Sequence, residues 1–74
     1  MTLYKFLETP GMRVALSEDP RGQNLPQTKG NWDFAGSVEL RKGGKGTIGA
    51  SADDIIDGIE RMGVFIRPMR LRMV

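Results

Sequence analysis

The feature that most constrains this chain is a single helix with both of its ends written into the sequence. Ser51 stands three residues before Asp54, the spacing of a capping box, in which the hydroxyl takes a free N–H of the first turn. Asp53 adds negative charge at the positive end of the helix dipole. Ala52, Ile55, Ile56, Ile59 and Met62 follow the i, i+3, i+4, i+7 spacing of an apolar stripe. Gly63 then supplies a left-handed stop. Gly58 interrupts this helix at a cost of about 1 kcal/mol relative to alanine. Its place beside the stripe predicts that the backbone packs closely on a sheet there.

The rest of the chain alternates with period two or not at all. Residues 2–7 (TLYKFL) are rich in strand formers, and Met12, Val14 and Leu16 alternate with Arg13, Ala15 and Ser17. Between them, Thr9-Pro10-Gly11-Met12 places proline and glycine where a type II turn needs them, which predicts a hairpin. Residues 18–31 (EDPRGQNLPQTKGN) show no period and hold one apolar residue, Leu25. They read as a long mobile loop opening on a local turn at Asp19-Pro20-Arg21-Gly22, although loops of this length also serve as binding elements.

Residues 32–40 (WDFAGSVEL) form the clearest strand. Trp32, Phe34, Val38 and Leu40 share one face with Gly36, where glycine suggests a bulge or a close approach. A turn over 41–46 leads to a short return strand at 47–50. After the helix, residues 64–66 read as a strand beneath it. A second alternation, Met69, Leu71 and Met73 against Arg70 and Arg72, follows an expected bulge or break at Pro68.

The predicted fold is α+β. It is a single domain over residues 1–74, with an antiparallel or mixed sheet of four to five strands and one amphipathic helix on one face, in the order β-β-loop-β-β-α-β. A chain of 74 residues buries about 60% of its unfolded surface, so its core is thin. The 39% hydrophobic and 27% charged residues suit a folded domain.

Composition also removes chemistries. There is no cysteine and no histidine, hence no disulfide, thiol nucleophile or thiolate metal site, and no side chain with an ordinary pKa near neutrality. No cofactor and no metal is expected. Ser17, Ser37, Ser51 and the threonines lack an evident activating base, which argues against an enzyme. No apolar run reaches the length of a membrane span, and residues 1–20 lack the apolar core of a signal peptide. A cytoplasmic setting without membrane contact follows as the expectation.

The formal net charge of +2 hides a strong segregation. Arg41, Lys42 and Lys45 make a basic turn; Asp53, Asp54, Asp57 and Glu60 make an acidic helix ridge; Arg61, Arg67, Arg70 and Arg72 make a basic tail. The ordinary reading of the ridge is a solvated face with Asp57 and Arg61 paired at i, i+4. The string Arg41-Lys42-Gly43-Gly44-Lys45-Gly46-Thr47 is similar to phosphate loops in its glycines and lysines. However, Gly46 rather than lysine precedes Thr47, so a basic hairpin turn is the simpler reading. Asp53-Asp54-Ile55-Ile56-Asp57 resembles the aspartate-rich string with which prenyl-transferring enzymes hold magnesium. The helical cavity of those enzymes does not fit in this chain, and Ile55 and Ile56 are needed for the core. Trp32 and Phe34 with Tyr4 and Phe6 offer a platform for unpaired bases, against which stands the need of a small core for aromatic side chains.

Two binding functions remain. In the first, a non-enzymatic module binds another protein, or a second copy of itself, through a sheet edge and basic tail formed by Arg67, Met69, Arg70, Leu71 and Arg72. In the second, Arg41, Lys42 and Lys45 act with Arg67, Arg70 and Arg72 on a nucleic-acid phosphate backbone.

Overall fold

The computed structural model describes residues 1–9 and 13–68. Strands β1 (Thr2–Thr9), β2 (Arg13–Ser17) and β3 (Asn31–Glu39) precede helix α1 (Ala52–Met62) and strand β4 (Val64–Pro68). The four strands form one antiparallel sheet in the order β3-β1-β2-β4. The fold is therefore α+β, as the alternation and the single helix predict. The hairpin pairs Leu7 with Val14 and Tyr4 with Ser17. Its expected turn residues Pro10, Gly11 and Met12 lie outside the described residues, as does the alternation after Pro68.

Directly opposed residues share a face of the sheet. One face carries the row Lys5–Leu16–Phe65, the row Leu7–Val14–Arg67, and Leu3 opposite Val38. The helix lies on this face. Its cap is as the sequence requires: the Asp54 N–H donates to Ser51 Oγ at 3.1 Å, and Gly63, at φ 79°, donates to the Ile59 carbonyl at 2.7 Å. Leu3, Leu16, Leu40, Ala52, Ile55, Ile56 and Ile59 are buried together, with Phe65 and Val38 against them. A methyl group added to Gly58 would sit 2.8 Å from Phe65 Cδ1, so the helix backbone does press onto β4. Met62 departs from the predicted stripe and is 77% exposed. It closes the last turn, and Gly63 reverses the chain immediately after it.

Two expectations need correction. The apolar face proposed for residues 32–40 is split. Lys5 pairs with Gly36 but Phe6 pairs with Phe34, so Ala35 is the extra residue of a bulge, with Gly36 at φ 122°. The extra residue inverts the alternation. Val38 and Leu40 go to the helix, whereas Trp32 and Phe34 turn to the opposite face. Residues 47–50 are not a strand. They form a tight turn in which Thr47 and Ala50 exchange both backbone hydrogen bonds, at 3.1 and 3.0 Å. Both central residues, Ile48 (φ 49°) and Gly49 (φ 78°), are left-handed.

Residues 18–30 pass over the second face of the sheet, on which Phe6, Ala15 and Ser17 are buried. Polar side chains tie them there. The Asp19 carboxylate accepts from the N–H groups of Arg21 (2.9 Å) and Gln23 (3.1 Å), and the Gly22 N–H closes the expected turn on the Asp19 carbonyl at 2.9 Å. Asn24 accepts from the Ser17 hydroxyl and donates to the Gly63 carbonyl at 3.0 Å. The Trp32 indole N–H donates to the Pro26 carbonyl at 2.8 Å. Gly22, at φ 66°, lets the backbone lie on the Phe6 ring: a Cβ there would be 3.0 Å from Phe6 Cζ. These residues form a second covering layer on the sheet. Among the described residues, no helix is long and apolar enough to cross a membrane.

Candidate functional site

β4 is the outermost strand on its side of the sheet, and Arg67 stands exposed on it. The Arg67 guanidinium donates one hydrogen bond from Nη1 to the Gly49 carbonyl at 2.9 Å. That bond fixes the side chain on the helix face, over the 47–50 turn. Met69, Arg70, Leu71 and Arg72, the other residues assigned to this surface from sequence, lie outside the described residues. Val64, Phe65 and Ile66 are half-buried, so β4 is anchored by its side chains on both faces.

The basic turn is exposed at Arg41, Lys42 and Lys45, but its glycine amides are already engaged. The Gly44 N–H closes a turn on the Arg41 carbonyl at 2.9 Å, and the Gly43 N–H donates to Asp53 Oδ1 at 2.9 Å. A carboxylate of the chain's own helix thus occupies an amide that a phosphate oxygen would need. Arg41 and Lys45 line a shallow hollow with Glu39, whereas Arg67 lines a different pocket with Lys5. The structure does not bring the turn and Arg67 into one pocket. In the aspartate-rich string, Asp53 serves Gly43, and Asp57 pairs with Arg61 at 3.2 Å as the i, i+4 spacing predicts.

The aromatic residues divide. Phe6 is buried, with Phe34 edge-on to it at 5.7 Å and 72° between the rings. Phe34 itself is 61% exposed, so the expectation that the core needs it fails. Trp32 is half-buried beneath the Arg13 guanidinium, 5.5 Å from the ring centre, a cation–π arrangement.

That arginine belongs to a polar cluster that periodicity did not single out. Arg13 donates from Nε and Nη2 to the two carboxylate oxygens of Glu8, each at 2.7 Å, and the Thr28 hydroxyl donates to the same carboxylate. Glu8 is buried. The signal was present: the register that sets Leu7 opposite Val14 makes Glu8 and Arg13 the next residues along their two strands. The Arg13 hydrogen bonds, then that of Thr28, hold the Glu8 carboxyl at about 2, below its ordinary 4.5, against the opposing effect of burial. Glu39 is lowered as well, first by the Thr2 hydroxyl and then by the N-terminal ammonium.

A lowered folded-state pKa means that Glu8 adds stability in full above its unfolded value, and that this is lost as pH falls through the folded value. The midpoint of urea unfolding is therefore expected to fall between pH 4.5 and about 2, and Glu8→Gln flattens that part of the profile. An unchanged acid slope in the variant shows that the ion pair does not couple folding to pH.

No protein-family model matches this chain, and no curated protein or solved structure does so either.

Proposed function

We propose that this protein is a non-enzymatic binding module that takes an extended segment of another protein, or of a second copy of itself, along the outer edge of β4. The observation that carries this reading is the contrast between the two edges of the sheet. β3 is interrupted by the bulge at Ala35 and Gly36, a device that blunts an edge. β4 pairs with β2 without a register shift from Val64 to Pro68, and no strand covers its outer side among the described residues. Alternate N–H and C=O groups of such an edge point away from the sheet and template an added strand. Arg67 on the edge, with Arg70 and Arg72 next in the sequence, favours an acidic partner segment, and Met69 and Leu71 offer apolar contacts.

A binding role also agrees with the state of the carboxylates. Glu8 and Glu39 are both held ionised by hydrogen-bond partners, the condition of structural ion pairs rather than of a general acid poised near neutrality.

The test is affinity capture with the full chain from its native cell, assayed for both protein and nucleic acid, followed by amide hydrogen exchange on the complex. The expected result is a co-purifying protein whose binding slows exchange in β4. Protection confined to β3 overturns the choice of edge. Recovery of nucleic acid instead, lost steeply with salt and abolished when Arg41, Lys42 and Lys45 become glutamate, favours the phosphate-backbone reading.

A further inference from the structure

The helix covers only part of its face of the sheet. Leu16 and Phe65 pack in its cluster; beside the adjacent row Leu7–Val14–Arg67, in which Val14 is buried, stands the 47–50 turn. A pocket of about 470 Å³ remains there, lined by Lys5, Leu7, Val14, Ile48, Arg67 and Pro68. Its size is that of a small-molecule site, and its floor is apolar.

Among the described residues, no carboxylate pairs with the cations of this pocket. Lys5 sits in the row with Leu16 and Phe65 and is half-buried. Asp33, the strand carboxylate on this face, lies across from Leu7 and accepts from the Thr9 hydroxyl instead, at 3.1 Å. Opposite Lys5 on β3 stands Gly36, above which a Cβ would meet nothing within 4 Å. The second cation, Arg67, makes one bond among the described residues, to the Gly49 carbonyl, and a guanidinium carries further donors that suit an anion. The wall is strained: Ile48 is a β-branched residue at φ 49°, where glycine or asparagine would be relaxed. Strain of this kind gathers at binding sites, and here it puts a branched apolar side chain against the opening.

We propose that this pocket binds a small aliphatic monocarboxylic acid. Lys5 and Arg67 receive the carboxylate, and Leu7, Val14 and Ile48 enclose the hydrocarbon. Two cations over an apolar floor match an amphiphilic anion, because Lys5 gains a charge-assisted hydrogen bond and Arg67 adds one to the bond it already makes with Gly49. The inference shares Arg67 with strand addition at β4 but rests on separate observations, the pocket on the helix face and Lys5 within it.

The experiment is an NMR titration of the full chain with octanoate, and in parallel with octanol and octylamine. Octanoate is expected to shift the amides of Lys5, Leu7, Val14, Ile48 and Arg67 saturably, and to bind about tenfold more tightly than octanol, the effect of one charge-assisted hydrogen bond. Lys5→Gln and Arg67→Gln each weaken octanoate by about the same factor, with the helix resonances unmoved. Equal binding of octanol and octanoate overturns the proposal, as does the absence of saturable shifts at these amides. It is also overturned if the ligand-free protein shows nuclear Overhauser contacts from Leu7 or Val14 to the Met69 or Met73 methyl groups, because the chain's own terminus then fills the pocket.

Discussion

Ile55→Ala is expected to remove most of the protein's stability at room temperature. Ile55 is fully buried on the helix, in one cluster with Leu3, Leu16 and Leu40. Removing its outer carbons takes away transfer free energy and opens a cavity, together about 2–5 kcal/mol for an isoleucine truncated to alanine. A core in a domain of this size rarely supplies more than about 3–5 kcal/mol in all. The substitution therefore removes a large share of the total, even though alanine is the better helix former. Urea denaturation followed by circular dichroism checks this. A variant within about 1 kcal/mol of the parent, the range of an ordinary point mutant, shows that the helix is not what seals the sheet.

Gly46→Ala has an effect of similar size for an unrelated reason. A Cβ at this position falls 1.8 Å from the Ala50 carbonyl oxygen and 2.8 Å from Ser51 Cα. Both obstacles are backbone. That same carbonyl accepts the Thr47 N–H that closes the turn, and Ser51 is the helix cap. Relief requires the turn to open or the cap to shift, a loss of about 2–4 kcal/mol by comparison with other severe backbone substitutions. Gly49→Ala is the control. It meets nothing within 4 Å and suffers only from its φ of 78°, worth about 1 kcal/mol. Equal denaturation midpoints for the two variants would show that residues 46 and 50 do not approach as described.

The helix was legible because everything that defines it is local: a hydroxyl cap, an apolar stripe and a glycine stop within one short stretch. The strands were legible as strands, but not the faces they present. Counting by twos from Trp32 to Leu40 assumes an unbroken pleat, and one additional residue at Ala35 reverses the count. Gly36 marked the place without revealing the inversion. The 18–31 layer escaped for another reason. It is shaped locally by Asp19 and fastened by Asn24 and Thr28, whose partners Gly63 and Glu8 are distant in sequence, and hydrophobic periodicity has no means of seeing polar ties of this kind. At 47–50, strand-forming residues are overruled by the two hydrogen bonds of a tight turn. Of the binding surface, Arg67 could be placed on an edge strand. The pocket beside it was hidden because Lys5, Ile48 and Arg67 meet only after the sheet has assembled.

The divided strand β3 bears on how the chain avoids error. In a sheet with one buried side, slipping a strand by one residue exposes its apolar set and is penalised once. Here the two halves of β3 serve opposite layers: Val38 under the helix, Trp32 beneath Arg13 and tied to Pro26. A one-residue slip would withdraw both at once. The bulge thus works as a proofreading device, because a misaligned β3 satisfies neither layer.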